Sequence, residues 1–304
     1  MAANRKKSCL DEGTGYRVFS VFNTCLLVLI LFLTAYPVYF VLIASISDPT
    51  KMVANYGLMW LPHFPLSLTS YRMVFRHSLL LSGFGNTLFI VIVGLAFNMV
   101  LTVLGAYLLS LKNSLLKKPI AYLILFTMYF SGGIVPGYLN IKSLHLMNTL
   151  WALILPGAIS TYNMLIMRSA IGALPDALME AAKLDGASHF QRILNVVVPL
   201  TGATSAVLML YYAVGHWNSY FSAMMYLPGK RSLQPLQVFL REILVLTQMG
   251  DMEEQTGVDD LGVYLLYASL KYAIIVVSAV PLLVLYPMVQ KFFERGIMMG
   301  SIKG

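Results

Sequence analysis

Hydrolysis or group transfer within this chain would need a nucleophile, a base or a set of metal ligands held close together. His145 and His216 are the natural starting points, yet neither has a catalytic partner at a recognisable spacing. No CxxC pair, HExxH helix or GxxxxGK loop occurs, so the residues for thiol redox chemistry, helix-borne zinc and phosphate-loop nucleotide binding are missing. Cys9 lies in a basic tail and Cys25 in an apolar run, which argues against a disulfide and leaves the redox compartment unassigned. The chain therefore reads as a non-enzyme without catalytic or metal-binding residues. An enzyme embedded in a membrane and built on His145 or His216 is the weaker alternative.

An ordered polar pattern does occur between Leu174 and Leu200. Pro175 suits a first helical turn, and Asp176 favours the positive end of a helix. Ala177, Ala181, Ala182 and Leu184 make a small-residue helix whose backbone can approach a partner closely. Asp185-Gly186 predicts a turn, because glycine reaches positive φ without a β-carbon clash. Ser188 then caps a second helix carrying Phe190, Ile193 and Leu194. The result is a stiff helix–turn–helix elbow.

The elements that must position this elbow are read from composition. Of 304 residues, 58% are hydrophobic and only 11% charged, with a mean hydropathy of +0.74. Soluble domains carry about a quarter charged residues, so most soluble enzymes, disordered chains and basic nucleic-acid-binding domains are excluded. The net charge of +8 comes from basic residues scattered along the chain. Six apolar segments predict an all-α integral membrane protein: Val18–Ser45, Thr87–Leu111, Pro119–Tyr138, Leu150–Ile171, Val198–His216 and Lys271–Val289. The first is too long for a signal-peptide core and is read as retained. Tyr36-Pro37 and Pro281 are expected to interrupt spans at positions where neighbours satisfy the freed backbone groups.

Lysine and arginine set the orientation. Thirteen of them share the side of the two termini: Arg5, Lys6, Lys7, Arg17, Lys112, Lys117, Lys118, Arg168, Lys183, Arg192, Lys291, Arg295 and Lys303. Eight lie opposite, in mostly longer loops: Lys51, Arg72, Arg76, Lys142, Lys230, Arg231, Arg241 and Lys271. Both termini and the elbow are thus expected on the cytoplasmic side. The predicted layout is a tail over 1–17, a six-helix domain over 18–290 and a tail over 291–304, with the elbow at about 172–197 and external segments at about 46–86 and 217–270.

The first external segment opens with the turn signal Ser47-Asp48-Pro49. It continues to Ser70, Tyr71, Val74, Phe75 and Leu79, spaced as a short amphipathic helix for capping the bundle or docking a partner. The second carries apolar Val238, Phe239, Ile243 and Leu244, then a polar stretch from Gln248 to Asp260 with five acidic residues. Loops this long are commonly functional, and contacts with an external partner belong here.

The elbow strongly resembles the EAA loop of ABC-importer membrane subunits. Glu180-Ala181-Ala182, Gly186 and Pro199-Leu200 match that pattern at its spacing. Most of the chain is similar to the second permease of maltose-type carbohydrate importers. Three stretches narrow the resemblance: Phe130 to Pro136, Tyr212 to Tyr220, and Met298 to Gly304. They are similar to a branch handling oligosaccharides cut from plant or algal polysaccharides, some containing uronates such as aldouronate or alginate. Phe130-Ser131-Gly132-Gly133-Ile134 is also similar to the signature loop of ABC ATPases. With no phosphate loop present, it is read as a break at the end of an apolar helix.

The resemblance implies a binding-protein-dependent ABC permease fold in the bacterial cytoplasmic (inner) membrane. It implies a second permease as heterodimeric partner, two ABC ATPases that bind the ATP and Mg, an extracytoplasmic solute-binding protein and an oligosaccharide substrate. No nucleic acid and no cofactor of its own are expected. Glu180, Ala181, Ala182, Asp185 and Gly186 would form the ATPase-coupling surface, with Gly300, Ser301, Lys303 and Gly304 as a second contact. Residues 215–270 occupy the place where related permeases reach into the binding protein. Trp217, Asn218 and Tyr220 offer the aromatic faces and amide of a sugar path, or else an interfacial aromatic belt. Lys271 would snorkel outward or pair with a loop acid. A peptide or polyamine cargo is the alternative within the same architecture.

Overall fold

The computed structural model describes residues 14–54, 59–76, 78–111, 117–253, 269–284 and 287. Among them the chain is helical with no strand. Helix α1 spans Thr14–Ile46, a short α2 covers Pro49–Ala54, α3 covers Thr69–Arg76 and α4 runs over Ser78–Ser110. Then follow α5 (Lys117–Tyr129), α6 (Ile134–Ser143), the single turn α7 (Trp151–Ile154) and α8 (Thr161–Gly172). The elbow holds α9 (Asp176–Leu184) and α10 (His189–Arg192), leading through α11 (Val198–Leu200) to α12 (Gly202–Trp217). Helices α13 (Phe221–Tyr226) and α14 (Leu236–Glu253) come next, and a last apolar helix, α15, covers Ser269–Val284.

Two helices, α1 and α4, are long and apolar enough to cross a membrane unbroken. They differ in burial. Only 6% of the apolar window of α1 is buried within the chain, against 39% for α4, so α4 is the central post and α1 lies at the periphery. One buried cluster gathers on the C-terminal half of α4, where Val103, Ala106 and Leu109 meet Met167, Ile193 and Leu208. A second gathers on its N-terminal half, where Leu80 and Val91 meet Val74, Trp217, Phe239 and Ile274.

The other predicted spans are less regular than six straight helices. The third is the pair α5 and α6, bent by 115° at the glycine pair, where Gly133 has φ +91°. The break read from Phe130–Ile134 is therefore present. The fourth is interrupted: a 3-10 turn over Leu155–Gly157 contains Pro156, and Ser160 in extended backbone starts α8 afresh by accepting the Asn163 amide. The fifth is bent by 86° before α12. Pro199 has no N–H to donate and its ring crowds the preceding turn, and the chain widens there into a π-turn over Ile193–Val197. The sixth is described over Ser269–Val284.

Two prolines expected to interrupt spans do not. Helix α1 is continuous through Pro37 and α15 through Pro281. Beside Pro37, the Tyr36 hydroxyl accepts the Met59 amide at 3.0 Å, tying the following segment to α1. The Ser47–Pro49 signal is a helix start rather than a free turn. Asp48 accepts the amides of Thr50 and Lys51 at the head of α2. A bond from the Thr50 hydroxyl, followed by those amides, holds its carboxyl below the ordinary value. The amphipathic helix is α3, with Ser70 and Val74 buried, whereas Leu79 belongs to α4. Val238 to Leu244 lie on α14, whose backbone stays helical to Glu253. Glu254, Asp259, Asp260 and the tail residues Gly300, Ser301, Lys303 and Gly304 lie outside the described residues.

Candidate functional site

The elbow is built as its sequence dictates. Pro175 precedes α9, Asp176 occupies its first turn and Lys183 its last, each matching the sign of the helix end. The helix stops in a Schellman motif: the Ala187 amide donates to Ala182 O at 3.0 Å and the Gly186 amide to Lys183 O at 3.1 Å. Gly186 sits at φ +77° with open space around its α-carbon, so backbone conformation rather than crowding requires glycine. Ser188 opens α10 with a reciprocal capping box, its hydroxyl accepting the Gln191 amide while Gln191 Oε1 accepts the Ser188 amide at 2.8 Å.

The exposed side of this elbow has the character of a contact surface. Glu180, Ala181, Asp185 and Gly186 are exposed and Ala182 is half-buried. Leu184 is 88% exposed and Phe190 63%, more apolar surface than a helix end facing water normally carries. The inner side is anchored. Met179 packs against the cluster on the C-terminal half of α4, and the Tyr107 hydroxyl lies 2.9 Å from His189 Nδ1.

A buried polar node ties α12 and the break between α7 and α8 to α4. Asn98, fully buried, donates through Nδ2 to the carbonyls of Gly157 and Ala158 at 2.6 and 3.0 Å. Its Oδ1 lies 2.7 Å from His216 Nε2. One helical turn on, the Thr102 and Tyr212 hydroxyls are 2.8 Å apart, and Tyr212 accepts the Ser160 amide at 3.1 Å. These side chains satisfy the backbone groups freed where the helix breaks between α7 and α8. His216 is thus a structural partner of Asn98. His145 is exposed, with its Nδ1 bonded to its own neighbour Ser143 O. Among the described residues no group of three or more His, Cys, Asp or Glu could hold a metal.

At the other end of α4, Asn86 donates to Ser232 O at 2.7 Å, and the Thr87 hydroxyl accepts the Leu236 amide at 2.9 Å. The segment carrying α13 and α14 is anchored there. Asn86 and Tyr107 are separated by about 30 Å of helix at 1.5 Å per residue, so the elbow and this segment sit at opposite ends of one membrane-length helix.

Trp217, Asn218 and Tyr220 do not form one surface. Trp217 is 2% exposed, and its indole N–H donates to Ser278 O at 3.0 Å. Neither a substrate nor a headgroup layer reaches that ring in this conformation. Asn218 is exposed, and Tyr220 lies beneath the Arg241 guanidinium, 5.2 Å from ring centroid to Cζ. Lys271 Nζ stands 5.1 Å from the Tyr272 ring centroid.

One packing device on α4 is absent from the motif reading. Gly83, Gly94 and Gly105 recur every eleven residues, about three turns apart on one face. Each admits a side chain from a different helix: Phe239 of α14, His216 of α12 and Met164 of α8. A scan for small residues at helical multiples would have found them.

Among the described residues the chain is thus all-helical, with helices apolar and long enough to cross a membrane and a capped elbow at one end. Residues 114–299 match the family of binding-protein-dependent transport system inner membrane components, and the chain belongs to that family. It is 34% identical over 290 residues to the polygalacturonan/rhamnogalacturonan transport system permease protein YtcP of Bacillus subtilis, covering 95% of this chain and 99% of that one. Protein LplC of the same organism is 33% identical over 292 residues, with 95% and 96% covered. The arabinooligosaccharides transport system permease protein AraQ of Halalkalibacterium halodurans is 23% identical, with 90% and 93% covered. Among solved structures, a chain of a bacterial ABC transporter involved in the import of the acidic polysaccharide alginate superposes with a TM-score of 0.81. It is 28% identical, with 92% of this chain and 98% of that chain covered.

Proposed function

We propose that this chain is a six-span permease subunit of an ABC importer for oligosaccharides, with acid-bearing, uronate-containing oligosaccharides as the narrower class. The observation carrying the reading is the capped elbow of residues 176–192, exposing Glu180 and Leu184 at the far end of α4 from the α13–α14 segment. The carbohydrate names of the relatives support the cargo class. The acidic polysaccharide handled by the superposable importer supports the narrower one.

In this mechanism the elbow is cytoplasmic, as are both termini, and α9 seats in a cleft of a partner ATPase. Glu180 meets a basic residue there, Ala181 and Ala182 allow close approach, Asp185 and Gly186 make the turn, and Gly300, Ser301, Lys303 and Gly304 of the tail add a second contact. ATP and Mg belong to the ATPases. Closure of the ATPase pair moves the elbow as a rigid body, because its caps leave few free backbone groups to yield. That motion switches this subunit and a second permease between inward- and outward-facing arrangements. An extracytoplasmic solute-binding protein delivers cargo at the opposite end, where Asn218 and Tyr220 are available.

Glu180→Lys tests the reading. Membrane insertion should persist, while sugar-stimulated ATPase activity of the importer falls below about a tenth of wild type or the ATPase no longer copurifies. Wild-type stimulation in the assembled variant would remove Glu180 from the coupling surface.

A further inference from the structure

A second polar feature sits far from the elbow. Between α13 and α14 lies a cavity of about 310 Å³ lined by Met224, Arg231, Val238, Arg241, Glu242 and Val245. Its two guanidiniums are held differently. Arg231 is committed to Glu242, Nη2 to Oε2 at 2.5 Å. Arg241 has no carboxylate partner among the described residues. It is in contact with the Tyr220 ring and the Met224 sulfur. A thioether is a weak acceptor, and a ring face satisfies charge rather than hydrogen bonds, so most of the five donors of this guanidinium are unused. Among the described residues the lining therefore carries one surplus positive charge, with an apolar wall from Met224, Val238 and Val245.

These features are complementary to a carboxylated sugar ring. The volume lies at the lower end of ligand pockets, about 300–1,000 Å³. A planar guanidinium matches a carboxylate in a two-pronged, charge-assisted pair, and the apolar wall suits the C–H face of a ring. Glu242, bound to Arg231, leaves Arg241 as the anchor. Helix α14 starts against Thr87, so the cavity belongs to the end of α4 remote from the elbow, where cargo would arrive.

Resting on the importer reading above, we infer that this cavity is an entry site for a uronate carboxylate of an acidic oligosaccharide, anchored by Arg241 over Tyr220.

The test uses the whole importer, with its partner permease, ATPases and binding protein, in proteoliposomes. ATPase stimulation is titrated with trigalacturonate and with an alginate trisaccharide, and measured separately with unliganded binding protein. Arg241→Gln should raise the half-saturating concentration of the acidic probe about tenfold, the loss of one charge-assisted pair. Stimulation by the binding protein alone should be unchanged. Arg241→Lys keeps the charge but not the fork, and should fall between the two; it serves also if the Gln variant fails to assemble. Superimposable titrations for wild type and both variants would overturn the site while leaving the importer reading intact. A matching drop in stimulation by the binding protein alone would overturn it too, because Arg241 would then contact protein. Wild-type importer that responds to no oligosaccharide would instead bring down the cargo reading beneath it.

Discussion

Glycine serves two separate ends in this chain, and substitutions tell them apart. Gly186 is required by its backbone, at φ +77° with nothing near the site of a β-carbon. Gly186→Ala should therefore cost about 1 kcal/mol, the price of placing an alanine in left-handed conformation. Asn tolerates that region better, so Gly186→Asn should restore most of the loss. Thermal unfolding and sugar-stimulated ATPase activity of the purified importer would check both; equal loss in the two variants would mean that the Schellman turn does not depend on φ. This residue was legible in the sequence, because an Asp-Gly pair between two capped helices is a local signal. Trp217 was not. Its neighbours Asn218 and Tyr220 imply an accessible surface, but its bond to Ser278 joins residues 61 apart in the chain.

At the scale of elements, α4 organises the molecule through what it omits. A β-carbon on Gly94 would lie 2.6 to 3.0 Å from three atoms of the His216 ring, which is held in place by Asn98. One on Gly105 would meet the Met164 sulfur at 2.5 Å, with the next atom at 3.5 Å. An imidazole within a bonded node cannot move without breaking it, whereas a thioether can swing aside. Gly94→Ala is therefore expected to destabilise the permease by about 1–3 kcal/mol, and Gly105→Ala by less than about 1 kcal/mol. Melting midpoints of the two solubilised variants should differ in that order, and the reverse order would discount the node. The helices themselves were readable from hydropathy. The interruption of the fourth span was not, because a broken helix in lipid depends on side chains elsewhere to satisfy its carbonyls, and Asn98 lies 59 residues from Gly157.

For the molecule as a whole, the decisive arrangement is that elbow and entry cavity occupy opposite ends of one apolar helix. With Cys9 and Cys25 replaced by serine and the ATPases not co-expressed, Leu184→Cys should react with a membrane-impermeant thiol reagent only in inverted vesicles, and Phe221→Cys only in intact cells. Both positions are exposed, at 88% and 52%. Labelling of the two from the same face would contradict a span between them. By itself the sequence determined the membrane setting, the helical class, the caps and turn of the elbow, and the break at Gly132-Gly133. Each of these follows from composition or from residues within a few positions of one another, where hydropathy and backbone conformation act directly. Only the tertiary structure decided that Asn98 holds a broken helix to His216, that three glycines admit three different helices, and that Arg241 stands over Tyr220 with no carboxylate partner among the described residues. Those outcomes depend on which distant surfaces close on one another. Side-chain packing and hydrogen bonding fix that choice, and even the eleven-residue spacing of glycines on α4 does not say which helix each one admits.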